Sequence, residues 1–127
     1  MITAKFEPGV ENTKTEDLWQ YDYGQVLRIE GLELPDAVEI HFSLQKTEGE
    51  AERRVGVTKN GVTDVPIPDS MLVNGGTSEK YSIYAFIYLS NEDSGKTTHW
   101  IQTKVKPRPE PIPEKPDGEN EDLFREA

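Results

Sequence analysis

Val38, Ile40, Phe42 and Leu44 occupy every second position, with Glu39, His41, Ser43 and Gln45 between them. Successive side chains of an extended chain point to opposite faces. Alternation of this kind therefore predicts a half-buried strand and excludes an amphipathic helix, whose apolar positions recur every three or four residues. The pattern is not isolated. Ile2 to Phe6 reads as a short opening strand, Gln25 to Glu30 alternates and stops at Gly31, and Ala51 to Thr58 is placed to return antiparallel across the loop 46–50. Asn60-Gly61 supplies a two-residue turn, because both residues tolerate positive φ, and Val62 to Ile67 follows as the next strand. Pro68-Asp69-Ser70-Met71-Leu72 suits one helical turn that Asn74-Gly75-Gly76 stops. Lys80 to Ser90 and Lys96 to Val105 make a final hairpin around Asn91–Gly95. No helical periodicity is sustained in residues 1–106, so the expected class is all-β.

Of 127 residues, 34% are apolar and 30% charged. That is one domain with a thin core, which suits two sheets that each bury one face and wet the other. Residues 7–23 are polar and read as an irregular crossing connection. At Lys106 the composition changes. Pro107, Pro109, Pro111 and Pro113 alternate with other residues, which removes ladder donors and favours an extended polyproline form. The domain is thus expected over 1–106, and 107–127 as a proline-rich, acidic arm outside the core.

The net charge of −10 repels phosphate backbones and anionic membranes, so neither nucleic acid nor membrane is an expected partner. Lys104, Lys106 and Arg108 are a small basic exception. Without cysteine there are no disulfides and no thiolate chemistry. No stretch approaches the roughly 18 apolar residues of a membrane span, and Met1–Phe6 does not begin a signal peptide, so a soluble chain is expected.

Catalytic signatures are missing. There is no Gly-x-Ser-x-Gly, no phosphate-cradling glycine loop and no His-Glu-x-x-His. His41 and His99 both sit on predicted strands. The acids of Asn91–Gly95, and Asp17 with Asp22, lack the spacing of a calcium loop. No enzymatic activity, cofactor or metal is expected.

Aromatic residues carry more information. Tyr81, Ile83, Ala85, Ile87 and Leu89 share one face of the strand 80–90, and Ser82, Tyr84, Phe86 and Tyr88 share the other. A strand wetted on one side would be polar there. Either a connection such as 7–23, through Leu18 and Trp19, covers the second face, or Tyr84, Phe86 and Tyr88 form a patch for another subunit or a sugar. Trp19, Tyr21 and Tyr23, with Trp100, are stacking candidates for a glycan; the loop aromatics equally suit pinning a long connection to the sheet. Pro109, Pro111, Leu123 and Phe124 are candidate contacts of the arm.

Trp19-Gln20-Tyr21-Asp22-Tyr23-Gly24-Gln25-Val26-Leu27 precedes Gly31-Leu32-Glu33-Leu34-Pro35-Asp36-Ala37-Val38-Glu39-Ile40-His41-Phe42-Ser43, with Val65-Pro66-Ile67-Pro68-Asp69-Ser70-Met71-Leu72 and Tyr84-Ala85-Phe86-Ile87-Tyr88 later. Over residues 1–106 this order resembles small structural domains of tailed phages and prophages of Gram-positive bacteria. It is similar to the N-terminal domain of the siphophage baseplate upper protein and to related tail-fibre and head-fibre modules. The resemblance implies an immunoglobulin-like antiparallel β-sandwich that docks onto or decorates a baseplate, tail fibre or capsid. It also implies other virion proteins or further copies of itself as partners, a place in the virion, and no cofactor. Related chains often continue into a helical stalk and a receptor-binding region, whereas a proline-rich acidic tail stands here. A carbohydrate-binding module for a bacterial surface glycan is the alternative.

Overall fold

The structure, a computed structural model, describes residues 1–91 and 95–111. Among the described residues nine strands run in the order β1 (Ile2–Lys5), β2 (Asn12–Lys14), β3 (Leu18–Trp19), β4 (Val26–Glu30), β5 (Ala37–Gln45), β6 (Glu48–Lys59), β7 (Val62–Pro66), β8 (Tyr81–Asn91) and β9 (Gly95–Lys106). Two short 3-10 turns, Asp69–Leu72 and Asn74–Gly76, lie between β7 and β8. The strands form one hydrogen-bonded path, β1-β4-β7-β6-β5-β8-β9-β2, with β3 also on β9. The two ends of the path approach each other. Thr13 Oγ1 donates to the Lys5 carbonyl at 3.1 Å, and the Phe6 ring stands edge-on to His99 at 5.6 Å. The molecule is therefore a mostly-β, nearly closed sheet.

Local chemistry explains most of the registers. Asn60 and Gly61 take φ of 53° and 82°, as the tight turn requires, and this pairs Lys59 with Val62 and Thr58 with Thr63. Thr63 is buried there, its hydroxyl 2.7 Å from that of Thr58. The loop between β5 and β6 is shorter than the sequence suggests, because β6 already starts at Glu48. The β5 alternation holds for Val38, Ile40 and Phe42, all buried. It fails at Leu44, which is 36% exposed where the β5–β6 register slips between Ser43 and Gln45.

Residues 7–23 correct two expectations. They are not irregular throughout, because β2 and β3 form within them and pair parallel to β9. They also enter the sheet edge-on, through Trp100 N–H to the Glu11 carbonyl and Gln20 N–H to the Lys106 carbonyl, rather than lying across the second face of β8. Nor is the sheet wholly antiparallel. β1 runs parallel to β4, and the long connection carrying β2 and β3 is the crossover that such a pair needs.

The core gathers Leu27 and Ile29 of β4, Ile40 and Phe42 of β5, Val65 of β7, Ile87 of β8, Ile101 and Val105 of β9, and Leu72 of the first turn. On the outer face Arg28 and Asp64 pair across β4 and β7 through two 2.8 Å hydrogen bonds. The Arg28 guanidinium holds the Asp64 carboxyl below its ordinary range. A depressed acid stabilises the fold above its unfolded pKa, and that contribution disappears as pH falls through the folded value. Both side chains are more than a third exposed, so the effect is screened and small. Asp64→Asn is expected to lower the melting temperature slightly at about pH 7, and the difference from wild type is expected to shrink as the pH falls below the ordinary carboxylate range.

Candidate functional site

β8 lies between β5 and β9, and cross-strand partners share a face. One face of β8 sends Ile83, Ala85 and Ile87 into the core. The other pairs Tyr84 with Ser43 and Gln102, Phe86 with His41 and Trp100, and Tyr88 with Thr98. Four rings therefore surround Phe86. Tyr88 stacks on it at 6.4 Å, His41 meets Tyr88 at 5.2 Å, and Tyr84 meets Trp100 at 6.0 Å. Lys46 Nζ stands 5.4 Å from the Trp100 ring centre.

Burial divides the three predicted contact residues. Phe86 is only 6% exposed and supports the cluster from within, whereas Tyr84, Tyr88, His41 and Trp100 are partly exposed. Rings packed this way lose little freedom on binding, and each tyrosine offers an apolar body with a polar tip. His41 and Trp100 join the surface through register alone; in the sequence nothing ties them to Tyr84 and Tyr88.

The proposed stacking residues separate into two groups. Trp19 and Tyr23 are 43% and 51% exposed, with Tyr21 edge-on to Tyr23 at 6.4 Å. Lys106 Nζ caps the Trp19 ring at 4.4 Å. Trp100 lies six residues, roughly 20 Å, from Lys106 along β9 and belongs to the other cluster. Beside Tyr21 a cleft of about 580 Å³ is bounded by Gly76, Thr77 and residues 107–110. Its wall depends on Gln20, which the sequence does not single out. Gln20 is buried; its Nε2 donates to the Val73 and Thr77 carbonyls, and its Oε1 accepts the Arg108 N–H at 3.1 Å. The proline-rich segment thus leaves β9 pinned to the body at Arg108. Tyr21, at φ of 67°, is held by its N–H to the Leu72 carbonyl. The neighbouring Tyr81 hydroxyl donates to the Met71 carbonyl at 2.7 Å, and burial pushes this phenol up to about 12.

Pro109 and Pro111 are exposed, while Leu123 and Phe124 lie outside the described residues, as does most of the acidic Asn91–Gly95 loop. Asp17 faces Lys80 Nζ at 3.3 Å, and His41 Nε2 faces Glu39 at 3.3 Å. His99 Nδ1 is buried without a hydrogen-bond partner among the described residues. No group of three or more acids and histidines gathers there as a metal site, and no helix there is long and apolar enough to cross a membrane. Compared with protein-family models and with curated proteins, the chain matches none.

Proposed function

We propose that the chain is a structural or adaptor protein of a phage particle. It docks onto or decorates the baseplate, tail fibre or capsid through the outer face of β8 and its neighbours. The observation that carries this reading is the packed aromatic surface of Tyr84, Tyr88, Trp100 and His41 around buried Phe86. It is an ordered apolar patch on a strongly acidic chain, and such patches mark contacts with other proteins. The resemblance to tailed-phage structural domains supplies the setting. It also implies an immunoglobulin-like sandwich, a description favoured by β6 leaving β7 beyond Val57, as a strand does when it passes from one layer towards another. The proline-rich arm would extend the contact to a neighbour.

Co-sedimentation of the tagged full chain with particles from a producing host tests the proposal. Wild type is expected in the particle fraction. Tyr84→Ser with Tyr88→Ser is expected to weaken binding at least tenfold while leaving the fold intact, because both rings are partly exposed. No wild-type binding would contradict the reading. Glycan recognition is the second reading, favoured by the exposed Trp19 and Tyr23. In the same assay with purified cell-wall polysaccharide, it requires that Trp19→Ala be the variant that loses binding.

A further inference from the structure

β6 is built inside out. Val55 and Val57 are 58% and 50% exposed on the outer face, while Glu52 and Arg54 oppose the core residues Phe42 and Ile40. The tight turn at Asn60-Gly61 fixes this phase, and Gly56 makes it tolerable. A Cβ at Gly56 would stand 2.9 Å from Thr63 Cγ2 and 3.2 Å from Ile40 Cδ1. The same strand is half unpaired. It meets β7 only from Val57 to Lys59, so among the described residues no strand lies along the other edge of positions 49–56. Glu52 reaches the Ser70 hydroxyl and Arg54 there, and beyond it Leu44, Ala51, Glu52 and Met71 border an open space of about 530 Å³. Inward charges guard such an edge, because an arbitrary strand added there leaves them unmatched.

One strand does match them. We propose that this edge pairs antiparallel with the same edge of a second copy, about a two-fold axis through Arg53. Side chains directly opposite in an antiparallel pair share a face, so a symmetric register must centre on a residue. Centred on Arg53, it sets Glu52 opposite Arg54 twice on the inner face, and Ala51 opposite Val55 twice on the outer face. The new ladder ends short of Val57, whose edge is already taken by Asp64 of β7, so Val55 is the exposed valine that the second copy flanks. Centred on Glu52, it would oppose Glu52 to its own copy beside the core. The two Arg53 side chains meet on the solvent side, where each is 69% exposed and has Glu39 Oε2 at 4.0 Å. The second copy thus accounts together for the open edge, the outward Val55 and the inward charge pair. This edge is separate from the aromatic face, and the inference does not rest on how that face is used.

Sedimentation equilibrium of the full chain over about 10–300 µM reads the result. Wild type is expected to approach twice the 14.4 kDa chain mass. Glu52→Arg alone and Arg54→Glu alone oppose like charges at all four inner positions and are each expected to stay monomeric. An equimolar mixture of the two variants restores every opposite-charge pair and is expected to form the dimer. That rescue also shows that both variants remain folded. Wild type that stays monomeric, single variants that dimerise like wild type, or a mixture that stays monomeric would each overturn the proposal.

Discussion

Phe42→Ala is expected to destabilise the protein by about 4 kcal/mol, the largest loss from a single truncation in this core. Phe42 is 1% exposed and packs at the centre of the sheet, opposite Ala85 of β8 and Glu52 of β6. Truncation loses the transfer energy of a ring and leaves a void that the flanking strands, hydrogen-bonded on both sides of β5, fill poorly. A chain of this size has a total stability of about 5–15 kcal/mol, so the variant is expected to populate unfolded forms well below the wild-type midpoint in urea. An unchanged midpoint would show that the β5 alternation does not face the core.

Gly31→Ala is expected to cost about 3 kcal/mol, lowering the melting temperature by roughly 10 °C. The cause is backbone rather than burial, since Gly31 is exposed. Its φ is +90°, which an L side chain rarely adopts, and an added Cβ would overlap the Phe6 carbonyl oxygen and lie 3.0 Å from Phe6 N. At that point the chain leaves β4 beside the end of β1, where Phe6 N–H donates to the Glu30 carbonyl at 2.9 Å. Relief requires β1 to move off β4, and β1 is one of the two ends that nearly close the sheet. Calorimetry of Gly31→Ala beside Gly61→Ala separates the two causes. Gly61 has a similar φ of +82° but nothing within 4 Å of an added Cβ, so it bears the conformational cost alone. Equal losses at the two glycines would remove the close approach from the account.

What the sequence conveyed follows from the range of the interaction involved. β5 was legible because its period is local, and the turn at Asn60-Gly61 because only certain residues accept positive φ. The strand 80–90 announced that both its faces are apolar, and the structure places it between β5 and β9. β2 and β3 were not legible. Thr13 and Leu18 become strand only because β9 offers an edge, which lies nearly ninety residues away. β6 was legible as the strand expected over 51–58, but which of its faces turns inward was not. Alternation alone would put Val55 and Val57 inside; the turn after Lys59 and the tight space at Gly56 invert that phase. The aromatic site was half legible. Tyr84, Phe86 and Tyr88 stood out along one strand, but His41 and Trp100 reach them only across the ladder, and Phe86 proves to be the support of the cluster.

Under the proposed function the chain holds a place in a particle through its aromatic face. Electron microscopy of intact particles carrying the gold-labelled full chain tests it most directly. Label at discrete, repeated positions, lost when Tyr84→Ser and Tyr88→Ser are combined, is the predicted result. Unlabelled particles, or label that survives the double substitution, would contradict it.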